Sequence, residues 1–134
     1  WSRQNRSQLV RIPMVKGDNC RMELRSPDPA CNPYLAIGLV LAAGLDGIEH
    51  RMVLQPPVNK NLFRPGEAEG LGLEMLPATL EEAVAIAEES DFLHKVLPEE
   101  LSRRYFAEER ARCEALRAAA DPAEYERIHY FNAI

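Results

Sequence analysis

The fold is decided by residues 20–35, which read CRMELRSPDPACNPYL. The first six residues alternate polar and apolar side chains, and this period of two predicts a β-strand that ends before the first proline. Because side chains alternate across a strand, Arg21, Glu23 and Arg25 should share one face. Asn32, followed by proline, predicts a helix start, because Asn caps free backbone N–H groups and Pro has none to leave unpaired. A strand with one charged face is therefore expected to lead into a helix.

A second strand is predicted upstream of this stretch, at residues 9–12. Residues 16–19, which lie between the two strands, read KGDN and have the Gly, Asp and Asn of a turn. The two strands are therefore expected to pair as an antiparallel hairpin over residues 8–26.

Downstream, a helix is predicted over residues 33–50. Its middle is apolar around every side, which is typical of a buried helix, and Gly38 and Gly44 are expected to permit the close approach of a neighbouring backbone. The density of Pro and Gly predicts a loop over residues 55–78. Thr79 and Glu82 form a capping box that opens a helical tail over residues 79–134. The predicted fold class is α+β, with an N-terminal hairpin and a helix-rich remainder.

Composition narrows the function classes. The chain has 134 residues, 46% of them hydrophobic, and a formal net charge of −5 without a basic stripe, so nucleic acid is not an expected partner. Its longest apolar run, residues 34–45, is shorter than a membrane span, and the three scattered cysteines predict reduced thiols in a cytoplasmic protein. Because the sequence starts at Trp1 and runs directly into a polar motif, we expect it to be a piece of a longer chain.

The residues that could carry chemistry are Arg6, Arg11, Glu23 and Arg25, together with Arg21. Guanidinium groups bind carboxylate and phosphate oxygens in two-point contacts, and a glutamate oxygen suits Mg²⁺ or Mn²⁺. The alternative interpretation is an exposed hairpin on which Arg21, Glu23 and Arg25 form surface salt bridges.

Several segments together resemble the C-terminal third of bacterial type I glutamine synthetases. They are Asn5-Arg6-Ser7, Val10-Arg11-Ile12-Pro13, the run from Met22 to Leu35, and Ala43-Gly44-Leu45-Asp46-Gly47-Ile48. The resemblance implies an ATP-dependent ligase that first phosphorylates the side-chain carboxylate of glutamate and then lets ammonia displace the phosphate. It also implies a homo-oligomer, a dodecamer of two stacked rings.

The resemblance assigns roles by position. Arg6 matches the arginine that steadies the transferring phosphoryl group and, with Arg11, binds ATP. Glu23 matches a ligand of Mg²⁺ or Mn²⁺, and Arg25 matches the arginine that contacts glutamate. Because the loop before Glu23 is shorter than in some members, no role is carried over to Lys16.

Two alternatives stay open at this point, a ligase that joins glutamate to a polyamine or other amine and a non-catalytic, synthetase-like structural protein. The residues with usable chemistry argue against the second. Since the remaining metal glutamates and the N-terminal domain are not in this sequence, the piece alone is expected to be inactive. In members that are switched off by adenylylation, the position of Phe63 is a tyrosine, so we expect regulation without adenylylation.

Overall fold

The computed structural model describes residues 1–131. The chain divides into two compact units, Trp1–Glu74 and a second that begins at Met75. The predicted α+β class is confirmed, while residues 132–134 of the predicted helical tail lie outside the described residues. The elements in chain order are β1 Val10–Arg11, β2 Glu23–Leu24, α1 Pro33–Glu49, α2 Leu80–Glu88, α3 Asp91–Val96, α4 Glu99–Ala118 and α5 Pro122–Glu126.

The first unit contains the predicted hairpin. Strands β1 and β2 pair antiparallel, with Val10 opposite Leu24 and Arg11 opposite Glu23. Each strand has only two residues, fewer than predicted, and a 3₁₀ turn at Gly17–Asn19 joins them where the turn was expected. A third segment, which no sequence pattern predicted, contributes a parallel bridge between Ser2 and Arg11.

Helix α1 begins where the Asn-Pro signal predicted. The side chain of Asn32 accepts hydrogen bonds from the backbone N–H groups of Tyr34 at 3.0 Å and Leu35 at 3.3 Å. The proline at the first helical position needs no such partner. Both local signals therefore act together to fix the start of the helix.

The prediction that α1 is buried is wrong for this chain. No residue of α1 is buried, and Tyr34, Ile37, Leu41 and Ile48 are each more than 60% exposed. A Cβ atom at Gly38 or Gly44 would meet nothing within 4 Å, so the predicted close approach at these glycines is wrong too. The apolar sequence favours burial, but burial also needs a second surface, and no described element packs extensively on this helix.

The loop predicted over residues 55–78 is present, and its described residues form turns without helices or strands. Gly66, Gly70 and Gly72 have φ angles of +81°, +72° and +61°, in the left-handed region that favours glycine. The second unit begins shortly after these glycines.

The second unit is helical, as predicted. Thr79 accepts a hydrogen bond from the N–H of Glu82 at 3.2 Å, and the Glu82 carboxylate accepts the N–H of Ala78 at 2.8 Å, so the capping box closes one residue further upstream than its usual form. Asp121 caps α5, which continues into a π-helical turn at Arg127–Phe131.

Helices α2 and α4 of this unit pack together. Among the described residues of this unit, the buried apolar side chains are Val84 on α2 and Phe106 on α4, at 6% and 8% exposure. Ion pairs between the same two helices join Glu81 to Arg117 and Glu88 to Arg110. No helix within residues 1–131 is both long and apolar enough to cross a membrane.

Candidate functional site

The register of the hairpin brings Arg11 and Glu23 together. Because the two residues are directly opposite, Nη1 of Arg11 donates to both carboxylate oxygens of Glu23, at 3.0 Å to Oε1 and 2.8 Å to Oε2. Both side chains are about three-quarters covered, at 21% and 26% exposure. The structure thus joins a predicted ATP-binding residue to the predicted metal ligand.

Arg21 also contacts the Glu23 carboxylate. Its Nη2 lies 3.2 Å from Oε1, and its Nη1 donates to the backbone carbonyl of Asn19 at 3.3 Å. The hydrogen bond from Arg11 is the main reason that the pKa of Glu23 lies below its ordinary value; partial burial opposes this effect, and the charges of Arg11 and Arg21 add to it. Glu23 is therefore held as a carboxylate between two cations.

One donor of Arg11 lacks a partner among the described residues. Its Nε–H is buried and makes no hydrogen bond within residues 1–131. A buried unsatisfied donor on a cation is costly, and an anionic oxygen would satisfy it. Because protein atoms cover this nitrogen, a ligand oxygen could reach it only after the groups around it moved.

The side chain of Arg25 contacts the backbone of Arg6. Nε of Arg25 donates to the carbonyl oxygen of Arg6 at 3.1 Å, and both residues are exposed. The surface salt bridge predicted by the alternative interpretation therefore forms at Arg21, whereas Arg25 turns to the Asn5-Arg6-Ser7 segment. Within residues 1–131, the two Nη nitrogens of Arg25 make no hydrogen bond of their own.

Asn5 and Ser7 have a structural role that no sequence signal predicted. The side chain of Asn5 donates to the carbonyl of Lys60, and the N–H of Leu62 donates to Oγ of Ser7 at 2.9 Å. The two side chains also bond to each other, since Oγ of Ser7 lies 2.8 Å from Oδ1 of Asn5. We call these side chains and the backbone of residues 60–62 the clamp. Arg6 lies between its two side chains in the sequence.

Glu23 alone does not make a metal site. Within residues 1–131, no three His, Cys, Asp or Glu side chains lie close enough to hold a metal ion. Both oxygens of Glu23 are bonded to Arg11, so a metal ion would have to share or replace these bonds. The described residues can supply one oxygen ligand and several cations for phosphate, which is less than a catalytic metal pair needs.

Lys16 and the cysteines form no ion pair with the charged residues of this face among the described residues. Lys16 is exposed and precedes the turn, and the three cysteines, Cys20, Cys31 and Cys113, are free thiols. Burial between helices raises the pKa of Cys113, which belongs to the second unit.

Comparison with known proteins gives consistent matches. Residues 1–128 match the family model described as "Glutamine synthetase, catalytic domain". The chain is 42% identical over 129 residues to a glutamine synthetase of Methanosarcina mazei, a match that covers 95% of this chain and 29% of that protein. It is 41% identical over 121 residues to one from Methanocaldococcus jannaschii, covering 89% and 27%, and 36% identical over 132 residues to one from Staphylococcus aureus, covering 97% and 29%. The chain thus spans less than a third of the length of these curated relatives.

Proposed function

The chain belongs to the glutamine synthetase family, and on that premise we propose that it is part of an enzyme that joins ammonia to L-glutamate in an ATP-dependent reaction. The observation that carries this proposal is the hairpin register, which sets Arg11 against Glu23 and presents Arg25 beside the Arg6 segment. Such a face can bind phosphate and carboxylate oxygens together.

In the proposed reaction, a γ-carboxylate oxygen of glutamate attacks the γ-phosphorus of ATP, and ADP leaves with the electron pair of the broken P–O bond. Ammonia then attacks the acyl carbon of the resulting γ-glutamyl phosphate. The C–O bond breaks, inorganic phosphate leaves, and the nitrogen loses a proton to give glutamine. Negative charge on the phosphoryl oxygens needs fixed positive charge more than covalent help.

The arginines supply that charge. Arg6 steadies the phosphoryl group in transfer, and Arg11 places its positive charge beside the phosphates of ATP. The buried Nε–H of Arg11 becomes available to a phosphate oxygen when the groups that cover it move. Arg25 is held by one bond to the Arg6 carbonyl, which leaves its remaining donors for the substrate carboxylate. Placing these groups before the reaction avoids reorganisation during it.

Glu23 contributes one oxygen ligand to a Mg²⁺ or Mn²⁺ ion that neutralises phosphate charge when bound. Its lowered pKa keeps the carboxylate ionised, and the metal ion would share or replace the bonds from Arg11. Because the described residues form no complete metal site, the other ligands come from elsewhere in the full-length protein.

The activity is tested in the full-length protein with glutamate carrying ¹⁸O in its γ-carboxylate, ATP and ammonium. An acyl phosphate intermediate moves one ¹⁸O into inorganic phosphate, which mass spectrometry detects. Glutamine formed without ¹⁸O in phosphate contradicts the mechanism, and no ligation with any acceptor favours a structural protein. Faster turnover with a polyamine than with ammonium favours the amine-ligase alternative.

We further propose that the full-length protein is a cytoplasmic homo-oligomer, a dodecamer of two stacked rings. Support comes from family membership and from the apolar side chains that α1 leaves exposed in this chain. Native mass spectrometry of the full-length protein tests the subunit number.

A further inference from the structure

The clamp fixes the backbone on both sides of Arg6. Ser7 donates its N–H to Oδ1 of Asn5 at 2.9 Å, and the same oxygen accepts from Oγ of Ser7. Both side chains then reach the backbone of residues 60–62, more than 50 positions away in the sequence. These hydrogen bonds hold residues 5–7 and residues 60–62 together, because neither segment belongs to a strand that could pair with the other.

The base of the clamp is joined to the hairpin. Oγ of Ser2 accepts the N–H of Asn5 at 2.8 Å, and Ser2 is fully buried, with 0% exposure. Ser2 also bonds to the backbone of β1, because its N–H donates to the carbonyl of Val10 at 3.1 Å. The clamp therefore connects residues 60–62 to the strand that carries Arg11.

Arg6 has its own backbone held in the same way. Its carbonyl accepts the bond from Arg25 at 3.1 Å, while its side chain is exposed. The direction of that side chain depends on backbone atoms fixed by Asn5, Ser7 and Arg25. A shift of residues 60–62 would pass to Arg6 through the clamp.

We propose that Asn5 and Ser7 are positioning residues that tie the loop at residues 60–62 to Arg6 and so set where its guanidinium group stands. The kinetic part of this inference rests on the proposed ligase function. The clamp itself does not, since it is a contact between two backbone segments.

The clamp is tested first by proteolysis of the full-length protein. Trypsin cleaves after Lys60, and that peptide bond lies inside the clamp. Losing the hydroxyl in Ser7→Ala should speed cleavage at this bond by about three- to tenfold, the range expected for one hydrogen bond, whereas Ser7→Thr keeps the hydroxyl and should be protected. Cleavage of Ser7→Ala at the wild-type rate overturns the proposal.

Kinetics of the same variants then test positioning. Ser7→Ala should lower kcat by about 10- to 100-fold and raise the KM for ATP by a smaller factor, because the displaced group acts mainly in the transition state. Ser7→Thr should restore kcat, and Gln4→Ala, a change at an exposed neighbour, should leave it unchanged.

The two readouts separate the possible failures. Fast cleavage with normal kcat overturns the positioning role and leaves the proposed ligase intact. A wild-type protein without ligase activity refutes the proposed function, while the clamp is still decided by the cleavage rates.

Discussion

At the scale of single residues, the main feature is the shared carboxylate of Glu23. Arg11 and Arg21 both contact it, so ligand binding at this face must exchange these bonds for others. When one partner of a largely covered ion pair is removed, the other is left as an uncompensated charge. A substitution at one of these three residues should therefore change the hydrogen bonds of the other two as well as ligand binding.

Glu23→Gln in the full-length protein should weaken Mn²⁺ binding at least about tenfold, because the amide keeps the shape but loses the charge that a hard cation prefers. Electron paramagnetic resonance of free Mn²⁺ measures the affinity directly. Glu126→Gln, at an exposed site on α5, is the matched control. Equal affinity in Glu23→Gln and wild type would remove Glu23 from the ligand set.

Arg25→Ala should lower kcat/KM for glutamate. The loss should correspond to about 2 to 5 kcal/mol of activation free energy if the substrate carboxylate pairs with a desolvated guanidinium group. Arg25→Lys should recover only part of this loss, because lysine keeps the charge without the two-point fork. Steady-state kinetics with varied glutamate measures both. Arg3→Ala, at another exposed arginine, serves as control, and a normal glutamate KM and kcat in Arg25→Ala would refute the assignment.

At the scale of elements, ion pairs between α2 and α4 link charge to helix packing. The hydrogen bond from Arg117 lowers the pKa of Glu81 below its ordinary value of 4.5, so folding favours the ionised form. The stabilisation is present above pH 4.5 and is lost as the pH falls through the lowered pKa. Both side chains are more than 60% exposed, which keeps the effect on stability small.

Carboxylate NMR should show this coupling. Arg117→Gln is expected to raise the pKa of Glu81 toward 4.5, because it removes both the donor and the positive charge. Arg103→Gln, which breaks an ion pair within α4, should leave the pKa of Glu81 unchanged. An unaltered titration of Glu81 in Arg117→Gln would show that the ion pair is absent in solution.

The loop before the second unit presents Phe63 to solvent, with 78% of the residue exposed. Its ring has no oxygen to accept a nucleotide, so incubation of the full-length protein with an adenylyltransferase and labelled ATP should place no AMP within residues 55–77. Phe63→Tyr should gain label there, whereas Phe131→Tyr, at an equally exposed ring, should not. Mass spectrometry maps the label, and AMP on this loop in wild type would contradict the expectation.

At the scale of the whole molecule, features that depend on neighbouring residues were predicted well, and contacts between distant residues were not. Asn32, Thr79 and the turn at Gly17–Asn19 behave as the sequence indicated, because each depends on residues a few positions away. The pairing of Arg11 with Glu23 depends on strand register, and the bond between Asn5 and Lys60 spans 55 positions, so neither leaves a local pattern. The sequence indicated which charged residues are candidates for the site, but it did not indicate which of them contact each other.

The 134-residue chain by itself should catalyse no glutamine formation and should bind a dye for apolar surfaces. The described residues bury few apolar side chains, Val84 and Phe106 being two of them, and so few cannot supply the core of a stable enzyme. Dye fluorescence per mole should exceed that of the full-length protein. Turnover by the purified chain above background would refute this expectation.

Helix α1 has a further consequence for the life of the polypeptide in a cell. Apolar side chains lie on every side of this seventeen-residue helix, and Ile37, Leu41 and Ile48 among them are more than 60% exposed in this chain. Chaperones and proteases recognise exposed apolar segments, and they act on whatever fraction of a protein shows them. A truncated translation product or proteolytic piece with this sequence would therefore be cleared faster than an assembled subunit, so that quality control, rather than any loss of chemistry, would decide how long it persists.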